Sequence, residues 1–257
     1  MNDRHDCLIA FGSNQGDSEK YYDRVCQLLA GNPGVFDLVA SDPVVTAAIG
    51  GSEKQSDYLN GCIRLQSELP CVNLFNFLRQ IETELGRVRN QRWASRTVDL
   101  DLLVCGSEIL QCHDIPLLVP HPRMSFRRFV LQPANQIAGD LVHPDSGLTI
   151  NELLQHLEIA EPRVGLVTTA QNSMLASQSE FRRLCESAAY QFHHFIQATS
   201  THLTLQKMKL VVYFDFDDTC LVNLAKSFAG PTLRLGDQGA DYVANELKAA
   251  LDAMNPF

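Results

Sequence analysis

Several things are missing from this sequence, and each absence removes a class of protein. There is no Cys-x-x-Cys and no paired His spacing among eight scattered cysteines, at 7, 26, 62, 71, 105, 112, 185 and 220. They therefore read as reduced thiols of a cytoplasmic protein, not as a disulfide frame or a zinc site. No run approaches the roughly 18 apolar residues that a membrane helix needs. The opening MNDRHDCLIAFGSNQGD sets acidic residues ahead of a short apolar run, unlike the positive flank and longer apolar core of a secretory leader. A basic excess is also missing. With 21 Lys and Arg against 30 Asp and Glu, the net charge of −9 argues against general binding to nucleic acid or an anionic membrane. Gly-Ser-Asn-Gln-Gly-Asp, residues 12–17, lacks the Lys-Ser/Thr that would complete a P-loop.

What is present is concentrated in LGRVRNQRWASRTVDLDLLV, residues 85–104. Four arginines, Arg87, Arg89, Arg92 and Arg96, surround the single tryptophan, Trp93, and give way to Asp99 and Asp101 in an apolar run. From Leu85 to Asp101 four arginines against two aspartates leave +2 in an acidic chain. Val98, Leu100, Leu102 and Leu103 favour a strand, so the two aspartates fall on one face with Cα atoms about 6.5 Å apart. Carboxylates at that spacing repel unless a cation lies between them. Hard oxygen ligands with room for water favour magnesium, which one or two carboxylates typically hold together with substrate phosphates. Guanidinium groups bind such phosphates bidentately. Either feature alone is ordinary in a solvated strand or loop; together they predict a metal-nucleotide site.

GRVRNQRW, RTVDLDLL and the later VPHPRMSFRRFVLQP (119–133) resemble the signature of the 6-hydroxymethyl-7,8-dihydropterin pyrophosphokinase family. The likeness extends to LIAFGSNQGD (8–17) and to Thr46 with Tyr58-Leu59-Asn60, covering roughly residues 5–160. It implies a ferredoxin-like α+β sandwich that moves pyrophosphate from ATP onto a pterin alcohol in folate biosynthesis, releasing AMP. Thr46 and Asn60 would meet the polar edge of the pterin, with Tyr58 and Phe129 on its two faces. Glu82, Arg87, Arg89, Arg96, His121 and Arg127 would serve ATP. Asp99 and Asp101 would hold two Mg²⁺, Arg87 and Arg96 would share in catalysis, and Trp93 would close over the ligands. Two departures stand out: Ala94-Ser95 where the family usually has Gly-Pro, and Phe126 where a polar residue is common.

Length allows one large domain or two ordinary ones. The pattern predicts a strand at 6–12, a helix from Asp17 or Ser18, strands at 35–47 and 58–67, a helix at 70–85, a strand ending at Cys105, a short hairpin, and helices at 126–137 and 149–157. That order, β-α-β-β-α-β, fits a ferredoxin-type sandwich. Residues 161–180 read as a linker. Beyond it come a helix at 179–198, the strand MKLVVYFDFDD (208–218), GPTLRL (230–235) and a closing helix at 240–254, a small α/β extension over 181–257. This tail weakly resembles the carboxyl-terminal part of a deoxynucleoside kinase, and its expected role is packing or a homodimer. Asp215, Asp217 and Thr219 match the D-x-D-x-T of haloacid-dehalogenase-like phosphatases, but little chain is left for the rest of such a site. The alternatives to the pyrophosphokinase are a non-catalytic nucleotide or pterin binder and a phosphatase centred on Asp215.

Overall fold

Alternating strand and helix signals do produce a mixed structure of helix and sheet. The computed structural model describes residues 4–49, 55–87, 96–112, 114–168, 178–196, 208–214, 228, 230–235 and 240–255. The chain divides into two compact units, residues 1–124 with 129–151, and residues 125–128 with 152–256.

In the first unit, strand β1 (His5–Ser13) leads to helix α1 (Ser18–Ala30), whose amino end is capped by the Asp17 carboxylate accepting from Lys20 N at 3.2 Å. Strands β2 (Val35–Ala40), β3 (Val44–Thr46) and β4 (Tyr58–Ser67) follow, then helix α2 (Cys71–Glu84) and strand β5 (Asp99–Cys105). The antiparallel sheet has the order β2-β4-β1-β5, with β3 also pairing β4. The single strand expected over 35–47 is thus two. Asp37 takes a left-handed backbone (φ 50°), and the register against β4 shifts between Phe36 and Val39.

Strand alternation sorts the side chains. Ile9, Phe11, Leu59, Ile63, Leu65, Leu100 and Leu102 point to one face and bury against Val25 and Leu29 of α1 and Leu74, Leu78 and Ile81 of α2. Gly12, Ala10, Tyr58, Asn60, Asp99 and Asp101 stand on the other face, where their registers align them. Strands β6 (Leu110–Gln111) and β7 (Leu118–Val119) make the short hairpin. Helix α3 (Arg128–Ala138) starts two residues later than expected, after a 3-10 turn at Met124–Phe126, and helix α4 spans Ile150–Ile159.

The second unit corrects two expectations. Within the stretch read as a linker, Arg163–Thr168 forms strand β8, and the helix expected over 179–198 is instead α5 (Gln178–Ser187) followed by strand β9 (Gln191–Ile196). With β10 (Leu210–Phe214) and β11 (Thr232–Leu235) these make a parallel sheet of order β11-β10-β8-β9, and helix α6 (Ala240–Met254) closes the chain. Val164, Leu166, Leu210, Val211, Val212 and Leu235 are fully buried, as a parallel sheet requires. His156 supports this core: its Nε2 lies 3.1 Å from the Met208 carbonyl oxygen, and its ring meets Phe228 edge-on. Asp215 and the rest of the D-x-D-x-T stretch lie outside the described residues.

Candidate active site

Gly12 is the hub of the sheet face that α1 and α2 leave uncovered, where Asn60 is buried and Tyr58 and Asp99 are half-buried. On β1 it pairs with Asn60 of β4 on one side and Asp99 of β5 on the other, so pterin-type and metal-type candidates meet across a position with no side chain. A Cβ built there would lie 3.7 Å from Asn60 Oδ1, 3.9 Å from Tyr58 Cδ1 and 4.0 Å from Asp99 Cβ, so any longer side chain would fill the space these three border.

On the β4 side, the Asn60 side-chain amide donates to Thr46 Oγ1 at 2.9 Å and, more weakly, to the Tyr58 carbonyl at 3.4 Å. The two bonds fix the amide and orient its Oδ1 relative to Gly12. Tyr58 is half-buried. Burial first, then the nearby Asp99 charge, raise its phenol above the ordinary range, partly offset by Arg96 and Arg87, so the ring is neutral at physiological pH.

On the β5 side, Asp101 sits two positions beyond Asp99 and pairs with Ala10, which confirms that the two carboxylates share a face. Arg87 Nη1 bonds Asp99 Oδ1, and Arg96 Nη1 bonds Asp99 Oδ2, so one carboxylate is gripped by two guanidinium groups. Burial works to lower the Arg96 pKa, but the charge and hydrogen bond of Asp99 outweigh it and hold the group above its ordinary value. Arg87 also bonds Glu82 Oε1, which accepts the backbone N–H of Leu100 at 2.8 Å. His121 reaches toward Asp101, with Nε2 3.8 Å from Oδ2. Its Nδ1 accepts from Arg123 N at 3.2 Å, which places the ring proton on Nε2.

The donor set suits magnesium. Asp99 and Asp101 offer hard oxygens at side-chain exposures of 20% and 39%. Among the described residues no group of three or more His, Cys, Asp or Glu is placed to hold a metal, which leaves further positions to phosphate oxygens and water.

Thus Thr46, Tyr58, Asn60, Glu82, Arg87, Arg96, Asp99, Asp101 and His121 all belong to the first unit; the first seven are each tied to at least one other of the set by register, hydrogen bond or ion pair, and Asp101 and His121 approach each other at 3.8 Å. Phe129 is half-buried in α3, while Arg127 falls in the 125–128 segment grouped with the second unit. Arg89 and Trp93 lie outside the described residues, as do Ala94 and Ser95. One residue passed over in the sequence is Asn14. Its Oδ1 accepts from Arg96 N at 2.8 Å, its own N–H donates to the Arg96 carbonyl at 3.0 Å, and its amide donates to Ser56 O at 3.2 Å. Its signal in the sequence is its place after Gly12-Ser13, a turn-forming pair at the end of an apolar strand.

Comparison with known proteins identifies the family. The family described as 7,8-dihydro-6-hydroxymethylpterin-pyrophosphokinase (HPPK) matches residues 8–139. Relatives named 2-amino-4-hydroxy-6-hydroxymethyldihydropteridine pyrophosphokinase include that of Synechocystis, 42% identical over 40% of this chain and 52% of its own length. That of Pseudomonas aeruginosa is 37% identical over 57% of this chain and 88% of its own, and that of Methylorubrum extorquens 35% over 58% and 92%. The match therefore spans about half of the Synechocystis protein and nearly all of the Methylorubrum one. A crystal structure of wild-type Plasmodium falciparum HPPK-DHPS aligns over 82% of this chain and 54% of its own at 8% identity, with a TM-score of 0.41 too low to carry an argument. With half of its length matched, and matched over the strands that hold the paired aspartates, the chain belongs to the 7,8-dihydro-6-hydroxymethylpterin-pyrophosphokinase family.

Proposed function

We propose that this chain transfers pyrophosphate from ATP to 6-hydroxymethyl-7,8-dihydropterin, giving AMP and the pterin diphosphate, a step of folate biosynthesis. One observation carries the reading: Asn60, Gly12 and Asp99 lie side by side on three adjacent strands, so a pterin edge and a metal-bound polyphosphate would meet there. Asn60 and Thr46 would take the polar edge of the pterin, with Tyr58 and Phe129 against its faces. Arg87, Arg96, His121, Arg127 and Arg89 would hold phosphate oxygens, and Trp93 would shut out water. Asp99 and Asp101 would hold two Mg²⁺, whose charge offsets that of the triphosphate and eases ionisation of the acceptor hydroxyl. The hydroxymethyl oxygen attacks the β-phosphorus, the bond from that phosphorus to the α–β bridging oxygen breaks, AMP leaves, and the hydroxyl proton passes to solvent.

The element order and antiparallel sheet support a ferredoxin-like reading of the first unit as the pyrophosphokinase domain; the α/β extension expected over 181–257 begins earlier, since β8 joins its sheet, and its proposed role is a homodimer. Free, buried Cys7, Cys62, Cys71, Cys105 and Cys185 suit a cytoplasmic setting, and among the described residues no helix is long and apolar enough to cross a membrane. Incubation with ATP, Mg²⁺ and 6-hydroxymethyl-7,8-dihydropterin should yield AMP and the pterin diphosphate. Ligand binding without AMP would point to the non-catalytic binder, and free phosphate abolished by Asp215→Asn to the phosphatase.

A further inference from the structure

Glu82 is an acid in the wrong place to meet a ligand. It ends the buried face of α2, and its side chain is 2% exposed, so a nucleotide arriving from solvent finds no free surface on it. A carboxylate this deep survives only where donors surround it. Oε1 accepts from Leu100 N at 2.8 Å and from Arg87 Nη1, and Oε2 faces Arg79 Nε at 3.9 Å. Two of these partners lead directly to the metal candidates. The Leu100 N–H belongs to the peptide that links Asp99 to Leu100, between the two aspartates. Arg87 Nη1 is shared between Glu82 Oε1 and Asp99 Oδ1.

We infer that Glu82 is a positioning residue: it fixes the Asp99–Asp101 backbone and aims Arg87, and it does not contact ATP. The inference rests on the function proposed above and refines it by moving one residue out of the nucleotide site. A helix residue that holds a strand amide and the arginine of a neighbouring loop aligns two groups that must act together. Losing such a support usually costs turnover more than affinity.

Glu82→Gln tests this, because the amide oxygen still accepts from Leu100 N while the charge that holds Arg87 is gone. The variant should lower kcat by about 10- to 100-fold, with KM for ATP and the calorimetric Kd for ATP within about two-fold of the parent. Added to Arg87→Met, it should cost little more, since the two act as one unit. Amide exchange at Leu100 should stay slow in Glu82→Gln and become fast in Glu82→Ala. A Kd for ATP that rises as far as kcat/KM falls, with kcat kept, would overturn the inference, and so would additive losses with Arg87→Met. If Glu82→Gln does not fold, Glu82→Asp replaces it: the charge is kept but the reach to Leu100 N is shortened, so exchange at Leu100 should quicken and kcat should fall with the Kd for ATP kept, and a raised Kd with kcat kept would overturn the inference. Should the parent protein make no AMP at all, the functional reading fails, and slow exchange at Leu100 in Glu82→Ala would then refute the positioning role on its own.

Discussion

In the proposed mechanism Asp99 would carry two jobs that pull against each other. It is paired with Arg87 and Arg96, which satisfies its charge, yet metal binding requires its oxygens to face a cation. The proposed mechanism therefore has the two guanidinium groups turn to phosphate oxygens when a polyphosphate binds, which would release the carboxylate. Asp101 is more exposed and faces His121. Asp99→Asn and Asp101→Asn should each reduce AMP formation by more than about 100-fold, beyond what a lost supporting contact costs, while circular dichroism and the melting midpoint stay near the parent. Near-normal turnover in both would sink the mechanism. The shared face of the two aspartates could be read directly from their spacing, because strand alternation depends on nothing else. The supports could not. Glu82 and Leu100 lie 18 residues apart and Asn14 and Arg96 lie 82 apart, and such contacts depend on how helix, loop and strand are laid together.

Elements whose signals were local came out where the sequence put them. Strand β4 spans Tyr58–Ser67 and α2 spans Cys71–Glu84, because alternation, helical spacing and Gly86 all agree. Strand β9 is masked in the sequence because Gln191–Ile196 mixes Gln and two histidines with aromatics, and the break before it is made by Ala189 in a left-handed conformation (φ 61°), where a glycine would give the signal. Strand β8 is hidden in a short apolar run after Pro162, and its backbone finds partners only in the distant strands β9 and β10. How α1 meets the sheet can be tested at Gly61. A Cβ there would lie 2.7 Å from Tyr22 Cζ, a ring packed on Phe11 whose hydroxyl donates to the Cys62 carbonyl at 2.8 Å. Gly61→Ala should therefore cost about 1–3 kcal/mol in denaturant unfolding. The far end of β4 is held differently. Arg64 bonds Asp6 at 3.0 and 2.7 Å, Asp140 at 2.8 Å and the Ile137 carbonyl at 3.2 Å, clamping β1 and β4 to the end of α3. The Arg64 hydrogen bond holds the Asp140 carboxyl below its ordinary 3.8, so its contribution is present above that value and is lost as pH falls through the lowered one. Asp140→Asn should lower the melting midpoint slightly at neutral pH and flatten its fall below about pH 4.

Across the whole chain, buried His143 and half-buried His156 set a common pH dependence. Burial lowers the pKa of His143 in the first unit and of His156 in the second, so each stays neutral when folded under conditions that charge it when unfolded. A depressed folded value means that stability is complete above the unfolded pKa and declines as pH drops below about 6.5. Thermal melts should show this decline, and His156→Gln should reduce it. For the proposed homodimer, sedimentation of the full chain should give twice the monomer mass, while substitutions on the surface of α6 should return it to one; a monomer at all concentrations would remove that role from the carboxyl-terminal unit. The outer strand of the first unit argues separately about self-association. Strand β2 breaks register between Phe36 and Val39 with Asp37 in a left-handed turn, so its free backbone groups cannot line up along a straight neighbour. Though Val39 and Val45 are exposed on that border, a crowded solution of this protein has no regular template there from which fibrous stacks could grow.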